Sequence, residues 1–520
     1  MPTRSSSGSA LAPLAALVLA IVVCEAPVAA RLTFEQPGFR EETIAANLPF
    51  ATAIAFDHRG RIFIALKSGV VRVWSEGELL AAPFIDLSTQ VNDVFDRGLL
   101  GLALHPDFPS APYVYLLFTR DPPGVPPDGS GGRASRLIRV TASAASDFTL
   151  AAPGMETAQV PACLLDPPPE GCPGHTVLLG RNSLRPFLGD VIDGRNTSRA
   201  SCMAGGSMGD LPLLLPTDDP NEPYPEGTAR PIEDCLPVDE RTHTIGTVAF
   251  GLDNSLFVSA GDGANFGEAD PRALRVQMLD SAAGKILRID ADTGNGLADN
   301  PHFDPRCPDC VRSKVWARGL RNPFRFAIDP NSGEPVIGDV GWNSWEEVNR
   351  GRGANFGWRC YEGGPRTGLE SVDNVSLPQS SFVASPATAV ACAQLLARGP
   401  EAVVAPAFAY GHEGDGFGGE GGASIAASTF YTGTTYPPAF RGALFLSDFN
   451  RRWIRVLRFD GGEATEIIDF ARESDAGIVQ LVPGPGGDLH AVVFSGRGSE
   501  VRRIGYTPGG NTPPAAVVSA

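Results

Sequence analysis

His243 is followed 19 positions later by Asp262, within Ala260-Gly261-Asp262-Gly263. The stretch between them reads as a strand over residues 246–250, a turn at Asp253-Asn254 and a returning strand, and a hairpin of that length brings its two ends together. A carboxylate beside an imidazole makes the ring a better base, which is what removing a proton from a hydroxyl requires. A loop histidine satisfied by a surface aspartate has the same spacing, so the pair alone leaves both readings open.

Two further segments carry chemistry. In Trp316-Ala317-Arg318-Gly319-Leu320-Arg321-Asn322-Pro323 the proline disfavours helix at Asn322. Arg321 and Asn322 are therefore expected to leave a strand end facing solvent or a ligand. A guanidinium keeps its charge and suits a carboxylate or a developing oxyanion, although a structural ion pair would use it equally well. Downstream, Ile337-Gly338-Asp339-Val340-Gly341-Trp342-Asn343-Ser344-Trp345-Glu346-Glu347-Val348-Asn349 packs oxygen ligands into a short glycine-bearing loop. A hard cation such as calcium needs such a loop, in which glycine lets carbonyls turn inward; a merely solvated acidic loop is the alternative.

The elements that must position these groups are strands. The chain has 520 residues, including 60 Gly and 46 Pro, which turns consume and helix interiors reject. With 42 Lys+Arg against 59 Asp+Glu its formal charge is −17, so a nucleic-acid or anionic-membrane partner is not expected. A strand-turn-strand phrase recurs at residues 54–64, 102–117, 248–258, 326–337 and 479–493, each around a turn rich in Asp, Pro, Asn or Gly. Dispersed antiparallel units of one kind point to radial repetition, and the expected fold is all-β, a six-bladed β-propeller of four-stranded antiparallel blades. An array of β-sandwiches is the competing architecture. Residues 121–241 break the rhythm with Pro167-Pro168-Pro169 and four cysteines, and read as a loop-rich insertion. We expect the propeller over residues 31–506 and a disordered tail over 507–520.

Residues 1–30 read as a signal peptide, with Arg4, a 13-residue apolar run from Leu11 to Val23, and small residues at Val28-Ala29-Ala30. That run is too short to span a bilayer, so an exported protein without an integral membrane segment after processing is expected, periplasmic or extracellular. Export would leave eight cysteines in an oxidising compartment, most simply paired as neighbours: 163 with 172, 202 with 235, 307 with 310, and 360 with 392. Cys307-Pro-Asp-Cys310 has the gap of a metal knuckle, but no second such pair follows, which favours a disulfide. Asn196 and Asn374 begin sequons that decide nothing alone.

Taken in order, several phrases resemble the glucose/sorbosone dehydrogenase family, which includes soluble sugar dehydrogenases that use pyrroloquinoline quinone. They are Asp96-Arg97-Gly98-Leu99-Leu100-Gly101, His105-Pro106-Asp107-Phe108, Gly261-Asp262-Gly263, Gly284-Lys285-Ile286-Leu287-Arg288-Ile289, Gly319-Leu320-Arg321-Asn322-Pro323, Gly338-Asp339-Val340-Gly341, Trp345-Glu346-Glu347-Val348-Asn349 and Asn355-Phe356-Gly357-Trp358. The resemblance covers most of residues 45–505 outside the insertion. It implies a six-bladed propeller with the quinone over the central channel and calcium mounting it.

By that resemblance His243 is the general base that takes the proton from the sugar's anomeric hydroxyl, and Asp262 orients it. Arg321 and Asn322 contact the reacting quinone, and Arg451 pairs with a cofactor carboxylate. Gly341 and Trp342 offer carbonyls to the cofactor calcium, while Glu346 and Glu347 lie near a second, structural calcium. Three positions depart from the family pattern. Asp96 stands where sugar-oxidising members carry a cofactor-contacting glutamine, Thr432 where the glucose-oxidising branch has a cofactor-pairing lysine, and Gly267 replaces a polar residue. The expected function is oxidation of an aldose to its lactone with an external electron acceptor; the alternative is a non-catalytic, calcium-bound propeller recognising a protein or glycan.

Overall fold

Six strands, Ala51–Phe56, Leu99–Leu104, Ile245–Phe250, Arg325–Ile328, Ile425–Phe430 and Gly477–Pro483, stand next to one another in that order around a ring, the last beside the first. Each is the innermost strand of an antiparallel sheet of four or five strands, so the computed structural model is a six-bladed β-propeller. It describes residues 32–129, 131–157, 174–189, 200–204, 229–368, 370–386, 388–412, 422–473, 476–495 and 498–509. The expected leader over 1–30, the tail beyond 509, Asn196 and the pair Cys163–Cys172 lie outside the described residues.

Alternation drives the packing. Each blade turns apolar residues of both faces toward its neighbours, and the hydrophobic core is divided among the six inter-blade spaces. Between blades one and two, for example, Phe63, Val71 and Val73 meet Leu102, Val114 and Leu116, all 5% exposed or less. The ring is closed from the other direction by Phe39–Leu48, which pairs antiparallel with Gly498–Tyr506 as the outermost strand of blade six. Leu32–Phe34 adds to the edge of blade five.

Four of the five repeated phrases are the first hairpins of blades one to four, and the fifth is that of blade six. Blade five has no such phrase because its first two strands are joined by the long connection Tyr431 to Ala443 rather than a tight turn. The segment 121–241, read as an insertion, supplies strands of blade two: Arg133–Thr141, Thr176–Leu179 and the short Leu236–Val238. Three of the neighbour disulfides are present, Cys202–Cys235, Cys307–Cys310 and Cys360–Cys392. The Asn374 side-chain amide donates to the carbonyls of Ser371 and Pro406, so this sequon is engaged in the fold.

All six inner strands run the same way along the axis. Their first residues surround one cavity of about 280 Å3 and their last residues a second of about 740 Å3. Arg325 divides the two: its guanidinium donates to the carbonyls of Val479, Leu100 and Thr52, at 3.0, 3.0 and 2.7 Å, on three other blades.

Candidate active site

His243 lies on the loop entering the inner strand of blade three, at the end of the ring where the smaller cavity opens. Its backbone takes the left-handed conformation, φ 51°, which a non-glycine residue adopts at a cost. The loop leaving the next strand comes close enough that a Cβ on Gly261 would lie 2.3 Å from the His243 carbonyl, so glycine is required there. This approach brings His243 Nδ1 to 2.9 Å from Asp262 Oδ1.

The aspartate is itself held on both oxygens. The Ala264 amide donates to Oδ1 at 2.9 Å and the Trp358 indole N–H to Oδ2 at 2.8 Å. His243 is 4% exposed and Asp262 1%. Burial alone would raise the Asp262 pKa, but the imidazole, its hydrogen bond and nearby Arg321 outweigh that and hold the carboxyl below its usual range. With Nδ1 turned to a carboxylate, the lone pair of the neutral ring lies on Nε2, the nitrogen available to a hydroxyl.

Arg321 and Asn322 leave blade three on a loop anchored by Asp339, whose two oxygens accept the Arg321 and Asn322 amides at 3.0 and 2.7 Å. The Arg321 guanidinium donates to the carbonyls of Val340 and Gly341, at 3.0 and 2.6 Å, and lies over the Trp358 ring. Burial pushes its pKa down, opposed by Asp262, Glu362, Glu346 and Asp339. The cavity beside these groups is lined by Asn322, Asp96, Lys67, Thr244, Thr52 and Phe95. Burial also raises the pKa of Asp96, against the pull of His243, Lys67 and Arg321, and lowers that of Lys67.

The structure thus brings His243, Asp262, Arg321, Asn322 and Asp96 to one mouth. Arg451, on the turn between Leu444–Asp448 and Trp453–Asp460 in blade five, donates to the Gly411 carbonyl at 2.7 Å and lies over the Tyr410 ring. Thr432 does not belong to the mouth. It follows the end of the blade-five strand and lines the opposite cavity with His58 and His105, so a lost lysine charge there is not felt at His243. Trp358, Lys67, Asp339 and Glu362 were not assigned roles in the sequence. Trp358 and Asp339 sit in phrases that mark the family, whereas Lys67 reaches the cavity from blade one with no local pattern.

The acidic loop resolves into two outward-diverging glutamates, since neighbours on a strand point to opposite faces. Glu346 accepts from Ile425 N–H at 2.9 Å and meets His412 Nε2 at 2.6 Å. Glu347 accepts from Asn349 at 2.8 Å and Gly363 at 2.5 Å. The Trp342 amide donates to Glu362, 2.8 Å away. Burial raises Asp339 to about 7 and Glu347 well above its ordinary value, each also pushed up by neighbouring carboxylates. Beside them the Oδ1 of Asn349, a fully buried residue, has no hydrogen-bond partner. Crowded buried carboxylates next to an unused carbonyl oxygen are a donor set that fits a hard cation. Among the described residues one trio of ligand atoms is already close, Cys307, Asp309 and Cys310, and its sulfurs are joined to each other.

The structure is a six-bladed propeller that carries a buried histidine-carboxylate pair and a buried arginine at one end of its channel. The comparisons give this propeller its family. The family model for Glucose / Sorbosone dehydrogenase matches residues 46–151 and 232–393, more than half of the chain, and the chain belongs to that family. Among relatives, the HIPL1 protein of Arabidopsis thaliana is 38% identical over 138 residues, 24% of this chain and 19% of that protein. Aldose sugar dehydrogenase YliI of Escherichia coli is 24% identical over 314 residues, 60% of this chain and 58% of that protein. In each case the match spans less than two thirds of the relative's length. Likeness of fold extends further. The PQQ-bound aldose sugar dehydrogenase of Streptomyces coelicolor superposes with a TM-score of 0.53 at 16% identity, over 92% of this chain and 99% of that one. The apo-form of the soluble aldose sugar dehydrogenase of Escherichia coli gives 0.54 at 18%, over 90% and 100%.

Proposed function

We propose that this protein oxidises an aldose at its anomeric carbon to the lactone, using pyrroloquinoline quinone and calcium and passing electrons to an external acceptor. The observation that carries the reading is the buried His243–Asp262–Trp358 series at the channel mouth of a member of this family. His243 Nε2 accepts the proton of the anomeric hydroxyl, and Asp262, fixed by Trp358 and Ala264, stabilises the imidazolium that results. Bound at the mouth, the quinone would supply the two-electron acceptor for the hydride of the anomeric carbon.

The cavity's side chains suit such a ligand. Asn322 and Lys67 line it with donors, and Arg321 and Arg451 supply positive charge behind. Asp96, whose pKa burial raises against the pull of His243, Lys67 and Arg321, lines the cavity where the family pattern has a glutamine. A cofactor calcium would be held by the Gly341 and Trp342 carbonyls, and a second, structural calcium near Glu346 and Glu347, where Asp339 and Asn349 add oxygens on the Glu347 side. Three internal disulfides support export to an oxidising compartment, with residues 1–30 as leader and residues 31–506 as the working unit. No helix among the described residues is long and apolar enough to cross a membrane.

The non-catalytic reading is favoured by one observation: the Gly341 carbonyl, expected as a calcium ligand, accepts the Arg321 guanidinium. A single titration separates the two. Metal-stripped protein is loaded with the quinone and calcium, then dye reduction is followed across a panel of aldoses. Stoichiometric binding with sugar-dependent reduction supports the dehydrogenase; folded protein that does not bind the quinone removes it.

A further inference from the structure

Among the described residues, the aromatic side chains more than half exposed are three phenylalanines: Phe50 at 52%, Phe95 at 60% and Phe266 at 57%. All three belong to loops at the His243 end of the ring. Phe50 immediately precedes the inner strand of blade one, Phe95 precedes that of blade two, and Phe266 follows Asp262 on the loop between the second and third strands of blade three. Scattered exposed apolar residues need no explanation, but exposed rings gathered at one end of the ring of blades do.

Their backbone makes the case stronger. Phe50 and Phe95 adopt the left-handed conformation, φ 52° and 58°, where a bulky side chain is disfavoured and asparagine or glycine would sit more easily. Nothing in the core rewards this strain, because the rings point to solvent. Each is nevertheless set in place: Phe50 against Phe494 at 5.1 Å, Phe95 beneath the Arg241 guanidinium at 5.0 Å, and the Phe266 carbonyl by the Trp342 indole at 2.5 Å. The rings of Phe50 and Phe95, held on one side and bare on the other, are stacking platforms, and Phe266 offers an exposed ring on a loop anchored through its backbone.

We infer that Phe50, Phe95 and Phe266 are stacking subsites for the successive units of a neutral oligosaccharide whose reducing end enters the His243 cavity. This rests on the proposed aldose oxidation and names its substrate class. The π-face carries negative charge density and attracts the C–H bonds lining the flat face of a pyranose. Phenylalanine adds no hydrogen bond, so the platforms accept sugars by shape. The formal charge of −17 disfavours acidic glycans and anionic lipid surfaces alike.

The test measures binding apart from turnover. Calorimetry on the full chain compares glucose with cellotetraose and maltotetraose, for the parent protein, Phe95→Asn and the double variant Phe95→Asn/Phe266→Ala, with melting temperature alongside. We expect one tetrasaccharide to bind the parent at least about tenfold tighter than glucose does, and the ratio of the two affinities to fall toward one in the double variant. Phe95→Asn should melt no lower than the parent, since asparagine suits the left-handed backbone. Equal affinity for glucose and both tetrasaccharides, no binding of either, or an advantage that survives the double variant would each overturn the inference. So would Phe95-dependent flotation with phosphatidylcholine vesicles, which would make the rim a lipid contact. Sugar-dependent dye reduction without a chain-length effect sinks the subsites and leaves the dehydrogenase standing. Ring-dependent tetrasaccharide binding without any reduction does the reverse.

Discussion

The two ends of the channel are built from the same six strands and differ in almost everything else. At the entry end the loops hold His243 and two phenylalanines in left-handed backbone, bury Asp262 and Arg321, and crowd carboxylates around Asn349. At the exit end the cavity is wider; His58, His105 and Thr432 line it, and its buried Asp57 is taken up in an ion pair with Arg61. Between them Arg325, buried and with no carboxylate contributing to its pKa, which burial lowers to about 9, ties three blades through their carbonyls. Both ends carry buried charge, and at the entry end it gathers around an imidazole.

The contrast can be broken most severely at the base. His243→Ala should lower sugar-dependent dye reduction about a hundred- to ten-thousandfold while quinone binding, followed by absorbance, stays within a factor of a few. Unchanged turnover would remove His243 from the mechanism. Next in size is Trp358→Phe, which strips one donor from a buried carboxylate oxygen; stability should fall by about 1–3 kcal/mol in denaturant unfolding, and turnover with it. Removing calcium with a chelator should lower the melting temperature, by the equivalent of about 2.7 kcal/mol if the metal had been a hundredfold above its Kd. A melting curve indifferent to chelator would mean that the acidic cluster holds no cation.

A pH series sharpens the comparison away from the mouth. His175 and His490, in blades two and six, are buried neutral, and burial takes each to about 4 from an ordinary value near 6.5. On acidification the unfolded chain takes up these protons first, so their contribution is complete above about pH 6.5 and is lost as pH falls toward 4. His490→Phe should flatten that slope, and an unaltered slope would acquit the histidine. The smallest effect belongs to Thr432→Lys, which should leave quinone affinity within twofold of the parent because the side chain stands at the other end.

How much of this was legible follows the reach of each signal. Hairpins closed by tight turns announce themselves locally, so five blades could be read and the fifth, with its long Tyr431–Ala443 connection, could not. The His243–Asp262 contact was legible because a single hairpin joins the two residues. Trp358 reaches Asp262 from a position 96 residues away, and Lys67 meets Asp96 across two blades, so neither contact leaves a pattern in any window of sequence. Strands of blade two were hidden in residues 121–241 because prolines, cysteines and long connections separate them. Thr432 was misplaced for a related reason: alignment of short phrases says which strand a residue follows, but not which end of the channel that strand has reached.

The strand Phe39–Leu48 also sets an order in time. During synthesis it emerges before any inner strand, yet its partner Gly498–Tyr506 comes after the last of them. Blades one to four are each completed by neighbours in sequence, whereas Phe39–Leu48 must wait for a partner made hundreds of residues later, a contact of very high sequence separation. The ring therefore locks last at the junction of blades six and one, where Phe50 meets Phe494, and the rim of the mouth takes its final shape only when the circle closes.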